Sequence, residues 1–596
     1  MMKGIAVSKG VAIGKAYLLD STKFCIIKHQ LNELEAEKEV ERFREAIEKT
    51  KLQMSEIKKR AKVIADKYAV ILDTYSLLLD DDILVNDTID NIKKFQTNAE
   101  WALTQTLNNF LKLFDNINDD YLKGKKDDLD LLVQTILKNL IGHSQESLSD
   151  IKESVIIVTH ALTPADTLMM PRNFVKGLAT EAGGKTSHVG IFAAALGIPA
   201  ITGIKGLTSD INSGDQIIVD GIGGEVIINP SKENLHHYRK KQENYRIYEE
   251  RLLTNIHQSA ETLDGHPVQL LANIESSKEV ASLQKFGAEG VGLYRTEYLY
   301  LAANSLPGER ELYENFKLIV QEMNSRVVVI RTLDIGMDKQ LSDNNSDEDN
   351  PALGLRGIRY SLAYPQLLID QLKAILRASL YGNVKILYPM ISSATEIIQA
   401  NQILEKAKSE LRRDQIPFNE KIEVGAMIET PAAVICIDHI LAEVDFISIG
   451  TNDLIQYLLA VDRTNENVAH LYQPFHPSVL RALKSVMQSA ENAGKSVSIC
   501  GELGGDPMAT MLLLGLGKLD DLSMEPHSVP KVKKIIRTIR LEEAKTLADN
   551  VLEMKCPDKI EAFITHEMMS RFPEDFDRDL SFEEKSVSSE NDQHVI

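Results

Sequence analysis

From residue 268 to residue 502 the chain repeats one pattern: a short apolar, β-branched run, then a longer spacer with helical spacing. The runs are VQLLANI (268–274), GVGLYRT (290–296), VVVIRTLDI (327–335), LGLRGIR (353–359), VKILYPMI (384–391), IEVGAMIE (422–429), DFISIGTND (445–453) and SVSICGE (496–502). Eight such units over about 250 residues are what a closed (β/α)8 barrel needs. The alternation therefore predicts a TIM-type barrel over residues 262–572. Barrels of this kind place their chemistry at the C-terminal ends of the strands. Here the polar residues fall late in their runs: Arg295, Arg331, Arg356, Glu429, Asn452, Asp453 and Cys500. On this register the three arginines end the second, third and fourth strands. Glu429 and Asp453 end the sixth and seventh, and Cys500 ends the eighth.

The front of the chain has a different texture. GIAVSKGVAIGKAYLL (4–19) is strand-like, and residues 31–141 carry helical spacing of apolar residues among many Glu and Lys, with Trp101 a candidate core residue. Strand character returns at SVIIV (154–158), followed by a helical HVGIFAAALG (188–197) and a glycine-turned hairpin in GDQIIVDGIGGEVIINP (214–230). The prediction is an α/β domain of residues 1–20 and 143–230, interrupted by a bundle of about four helices at 21–142. A charged helical linker follows at 231–261, read as a solvated face. The acidic tail 573–596 has few apolar residues and is expected to be disordered. The whole is a multidomain α/β protein.

Composition narrows the function. A net charge of −20 argues against a general nucleic-acid or anionic-membrane binder, since both select for Lys and Arg. The four cysteines, Cys25, Cys436, Cys500 and Cys556, lack CxxC spacing, which points away from a zinc site or disulfide scaffold and towards reduced thiols. The N-terminus has no long apolar core, and the apolar run 189–204 is short and broken by Gly and Pro. A cytoplasmic protein without membrane insertion is expected.

Two constellations carry chemistry. EAGGKTSHVG (181–190) nearly spells a phosphate-binding loop, but the glycine that GxxxxGK[ST] requires falls at Ala179. Read alone, His188 is the start of a capped helix. It is also well placed as a nucleophile, because a helix N-terminus keeps imidazole neutral and favours phosphate upon it. At the predicted barrel mouth, Arg295, Arg331 and Arg356 offer guanidinium forks for phosphate or carboxylate. Glu429 and Asp453 together can hold Mg2+, and Arg463 follows in the next loop. The competing reading is a purely structural salt-bridge network. Cys500, set among acids, should stay a thiol and suits proton donation. The other three cysteines read as buried apolar residues.

GGKTSH, GLYRTEYL, VIRTLDIGMDK, NPALGLRGIR, YPMI, MIETPAA, SIGTNDLIQY, AVDR, LYQP and CGELGGD occur in this order. The set resembles enzyme I, the phosphoenolpyruvate–protein phosphotransferase family of bacterial sugar phosphotransferase systems. The resemblance covers the chain to about residue 565 and implies that phosphoenolpyruvate binds with Mg2+ at the barrel. Its phosphoryl group would pass to His188, at Nε2, and then to a histidine-phosphocarrier protein docked on the inserted helices. It further implies that Arg295, Arg331, Arg463 and Asn452 hold the substrate, that Glu429 and Asp453 ligate Mg2+, and that Cys500 protonates the enolate to give pyruvate. Dimerisation through the barrel is implied as well. The chain departs from the family pattern at Ala194, where an arginine is usual, and at Lys185, Met337 and Tyr75. The alternatives are a pyruvate,phosphate dikinase or phosphoenolpyruvate synthase relative without its ATP-binding region, and a weakly active regulatory phosphoprotein.

Overall fold

The computed structural model describes residues 1–19, 28–64, 82–115, 133, 135–137, 139–141, 151, 153–162, 170–171, 173–183, 190, 193, 197–301, 306–335, 350–463, 465 and 467–576. These form two compact units that part at Tyr248 and Glu249.

The first unit is built on an eight-stranded sheet. Its strands are β1 (Met2–Lys3), β2 (Ile5–Ser8), β3 (Val11–Leu19), β4 (Val155–Thr159), β5 (Val175–Thr180), β6 (Ala200–Thr202), β7 (Gln216–Asp220) and β8 (Glu225–Ile228), in the spatial order β1-β8-β7-β3-β4-β5-β6-β2. β7 and β8 form the expected antiparallel hairpin. β4 is buried along its whole length: Val155 and Ile157 enter one apolar cluster, Ile156 and Val158 the other. That continuous apolar run is the signature of a strand covered on both faces. β3 and β4 pair in parallel although the chain between them runs through the helices Glu33–Ile64, Asp82–Phe95 and Ala99–Asp115. The helical part is thus an excursion between two neighbouring strands. Phe43, Ile92 and Leu103 fill its core, whereas Trp101 is only half-buried.

Helix Lys232–Thr254 follows. Its charges are not all solvated: Lys241 is buried and donates to the buried carboxylate of Asp220 at 2.7 Å.

The second unit is a closed, all-parallel barrel of β9 (Gln269–Ile274), β10 (Val291–Tyr294), β11 (Val328–Arg331), β12 (Val384–Tyr388), β13 (Glu423–Ile428), β14 (Phe446–Ile449), β15 (Ser496–Ile499) and β16 (Asp521–Met524). Two strand assignments from sequence need correcting. LGLRGIR (353–359) is no strand: it runs from the end of a short helical turn at Pro351–Leu353 into the start of helix Ile358–Ala363. Gly357 between them has φ +58°, and a Cβ there would come within 2.7 Å of Met390, so the glycine serves a tight loop. The eighth strand is instead DLSM (521–524), where polar residues beside only two apolar ones disguise a strand buried by closure. Glu429 and Asp453 therefore follow the fifth and sixth strands, and Cys500 the seventh. The expected disorder from residue 573 meets a helical turn at Pro573–Phe576, whose Asp575 accepts from Lys534 at 2.8 Å; residues 577–596 lie outside the described residues. Among the described residues, no helix is long and apolar enough to cross a membrane.

Candidate active site

The predicted polar residues collect at the C-terminal mouth of the barrel, and strand order explains how. Arg331 is the last residue of β11; Arg295, Glu429 and Cys500 each come directly after their strands. Asn452 and Asp453 are not strand residues: they lie in the first turn of helix Thr451–Leu459, where carboxylates suit the helix dipole. Gly450 and Gly501 let these segments approach closely. A Cβ on Gly450 would lie 2.6 Å from Glu429 Oε2, and one on Gly501 only 1.8 Å from Thr451 Oγ1.

Arg331 is nearly buried and pairs with Glu297 at 3.1 Å and Asp334 at 3.2 Å. Arg356 reaches the same Asp334 through Nε at 3.2 Å and Nη2 at 2.9 Å, and the Nη2 also donates to Asp453 Oδ2 at 3.3 Å. Its remaining Nη1 donates to Tyr457 at 3.1 Å. Burial alone would weaken the proton affinity of both guanidiniums. The facing carboxylates outweigh it and raise both pKa values, Glu297 and Asp334 acting on Arg331, Asp334 and Asp453 on Arg356.

Glu429 shows the opposite balance. It is 2% exposed and accepts from the Met390 amide at 2.6 Å. Burial, then Asp453 and Asp334, push its pKa up to about 8 against the pull of Arg331. A buried carboxylate facing the charge of two others is repelled by them unless a cation joins them.

On the other side of the mouth, Glu502 ties two predicted residues together. Its Oε1 accepts from Asn452 Nδ2 at 3.0 Å and from Arg463 Nη1 at 3.2 Å, and its amide donates to Asn452 Oδ1 at 2.9 Å. Arg295 pairs with Glu275 at 3.0 Å. Every arginine of the set thus has a carboxylate partner, which an incoming anion must compete with or displace. Cys500 is buried, its sulfur 3.6 Å from the Ile449 carbonyl. Burial pushes the thiol up to about 11, so it is protonated near neutrality. Cys436 is exposed and Cys556 half-buried, not the buried apolar residues expected; Cys25 lies outside the described residues.

Sequence reasoning missed Glu275, Glu297, Asp334, Tyr457 and Glu502. Asp334 and Glu502 stand inside the quoted RTLDIG and CGELGGD motifs, yet a carboxylate's partner is visible only once the barrel closes. His188, Lys185, Ala194, Met337 and Tyr75 lie outside the described residues. Seven residues before His188 in the sequence, Glu181 accepts from the Thr208 amide at 2.8 Å and faces His160 Nδ1 at 2.6 Å.

The two carboxylates fit a hard cation by their chemistry. They supply only oxygen, which suits a hard divalent cation, and the charge of Asp453 beside Glu429 is held at electrostatic cost.

Comparison with known proteins gives a consistent picture along the chain. Residues 3–125 match the family described as PEP-utilising enzyme, N-terminal; residues 151–224 match its mobile domain, and residues 249–541 its PEP-binding domain. A phosphoenolpyruvate-protein phosphotransferase of Bacillus sp. (strain S) is 41% identical over 563 residues, covering 94% of this chain and 97% of that protein. Proteins of the same name from Bacillus subtilis (strain 168) and Staphylococcus aureus (strain MSSA476) are each 40% identical over 94% of this chain, covering 99% and 98% of their own lengths.

Proposed function

Because the chain belongs to the phosphoenolpyruvate-protein phosphotransferase family, we infer that it moves the phosphoryl group of phosphoenolpyruvate to its own His188. From there the group passes to a histidine-phosphocarrier protein, and pyruvate is released. The observation that carries this reading is the barrel mouth, where four arginines, the buried Glu429 and the partly exposed Asp453 gather in an arrangement suited to a small, multiply charged anion. Phosphoryl transfer asks mostly for positioning and charge stabilisation, and the mouth offers both. Arg295, Arg331, Arg356 and Arg463 grip the phosphate and carboxylate, exchanging their present acid partners for the ligand. Asn452, fixed by Glu502, adds a neutral hydrogen bond. Glu429 and Asp453 would hold Mg2+, which when bound supplies positive charge to the phosphate oxygens. Cys500, kept as a thiol by burial, holds the proton that the enolate carbon takes up. The dikinase alternative lacks comparable support, since the relatives that align end to end carry the phosphotransferase name.

The test mixes the purified protein with phosphoenolpyruvate, Mg2+ and a cognate carrier, and follows pyruvate and acid-labile phosphate on both proteins. His188→Ala is expected to abolish both. Unlabelled wild-type protein, or undiminished transfer by the variant, rejects the reading. A homodimer formed through the barrel, in the cytoplasm, belongs to the same proposal. Light scattering across a concentration series tests the dimer.

A further inference from the structure

Below the mouth, the barrel interior carries hydroxyls that the reaction so far leaves unused. Inward-facing positions alternate along each strand. Leu293, Val329, Leu387, Met427, Phe446 and Cys500 form one buried cluster there. By the same alternation Ser448 shares the inner face with Phe446, and Ser498 shares it with Cys500. Ser448 and Ser498 are partners across the β14–β15 ladder, which puts Ser448 one strand over and one inward step below the thiol. Ser448 is 1% exposed, and its hydroxyl has no hydrogen-bond partner among the described residues. An unsatisfied buried hydroxyl is costly to keep.

The surroundings of Cys500 suggest why it is kept. The Cys500 carbonyl accepts from Asn273 Nδ2 at 2.9 Å, and Asn273 Oδ1 accepts from Ser523 at 2.6 Å, so the backbone is fixed. The sulfur lies 3.6 Å from the Ile449 carbonyl, which accepts from a thiol but cannot donate to a thiolate. Proton delivery therefore leaves negative sulfur facing a carbonyl oxygen. Two unpartnered hydroxyls, Ser448 and Ser498, lie on this inner face across the β14–β15 ladder; of the two, it is Ser448 whose donation favours the thiolate.

We propose that Ser448 is a positioning residue for proton delivery by Cys500, its hydroxyl turning to donate to the sulfur as the thiol protonates the departing enolate. This rests on the role of Cys500 in the proposed function. The S–H bond breaks and a C–H bond forms at C3 of the enolate, whose negative charge moves to sulfur. Ser448 keeps its proton and lends only a hydrogen bond. The thiolate regains a proton from water once pyruvate has left.

The consequence is stereochemical. Protonation by a fixed thiol delivers hydrogen to one face of C3; an enolate that escapes is protonated on both faces by water. The experiment supplies phosphoenolpyruvate carrying deuterium at one C3 position, in tritiated water, and traps pyruvate at once with lactate dehydrogenase before the methyl chirality is read. Wild type is expected to give one hand. Ser448→Ala is expected to lower the ratio of hands about tenfold, the loss of one hydrogen bond to a charged acceptor. The rate of phosphohistidine formation and the KM for phosphoenolpyruvate should stay unchanged. Ser448→Thr restores the hydroxyl and the handedness. Ser448→Cys, a weaker donor of similar size, gives an intermediate ratio and serves if the alanine variant does not fold. Full handedness in both Ser448→Ala and Ser448→Cys overturns the proposal. A racemic methyl from wild type overturns it together with the role of Cys500, leaving the phosphohistidine reading to its own test.

Discussion

Arg356 grips Asp334 through two parallel hydrogen bonds, Nε to Oδ1 at 3.2 Å and Nη2 to Oδ2 at 2.9 Å. The same carboxylate, 2% exposed, also holds Arg331 at 3.2 Å. One buried acid thus sets the spacing of two arginines that come from different segments, one from a strand end and one from the following loop. Asp334→Asn keeps the shape and removes the charge, so both guanidiniums lose their shared anchor. The expected result is a KM for phosphoenolpyruvate raised at least about tenfold, equivalent to ~1.4 kcal/mol. Steady-state kinetics with circular dichroism as a fold control measures it, and an unchanged KM refutes the clamp.

This pair also marks the limit of what could be read from residues alone. The strand–helix alternation revealed the barrel, because β-branched runs that end in polar residues survive as a local pattern. Pattern and structure both have eight strands, because the pattern takes LGLRGIR where the barrel uses DLSM. Locally, Leu353, Leu355 and Ile358 look like a strand, and Asp520 and Asp521 look like a loop. Barrel closure decides otherwise. The arginines were legible as a group, but their partners Glu275, Glu297, Asp334 and Glu502 were not, since each pairing joins segments that only the fold brings together. The insertion of the helices was legible because strand texture stops near residue 19 and resumes near 154, whereas the buried pairing of Lys241 within a highly charged helix left no local trace.

Thiol accessibility separates the cysteines. Cys436 is exposed, while Cys500 is 2% exposed and its thiol is pushed up to about 11 by burial. Thiolate is the species that alkylates. Brief iodoacetamide treatment of the native protein at pH 8, followed by peptide mass spectrometry, should label Cys436 and spare Cys500. Labelling of Cys500 at a comparable rate would contradict its burial. Denaturant should abolish the difference.

At the opposite end of the barrel, Asp521 opens β16, and burial, then the charge of Asp520, push its pKa up to about 6. The unfolded carboxyl loses its proton near pH 4, so between about pH 4 and 6 the folded chain holds a proton that the unfolded chain has lost. Stability falls across that window as pH rises and is level above it. Asp521→Asn has no such loss. Its advantage should be near zero at pH 4 and reach about 2–3 kcal/mol above pH 7, since holding a carboxyl's proton across one pH unit is equivalent to about 1.36 kcal/mol. Thermal unfolding at the two pH values checks this, and phosphotransfer should be unaffected, because the site lies at the far ends of the strands. Equal melting shifts at both pH values would exclude the linkage.

In the first unit, Lys241 and Asp220 form an ion pair with side chains 3% and 1% exposed. Asp220 also accepts from the amides of Ile222 and Gly223, which shape the turn between β7 and β8. The helix is further attached through Gln242, whose side chain donates to the Val11 carbonyl at 2.7 Å. Removing one member of a buried pair strands the other's charge, at a cost of about 3–5 kcal/mol, whereas removing both charges costs far less. Lys241→Met is therefore expected to lower the melting temperature of the transition that includes this sheet, and Lys241→Met with Asp220→Asn to recover most of the loss. Calorimetry on the full chain resolves the point. A double variant no more stable than the single one would show that Asp220 works through its turn amides and that the ion pair contributes little.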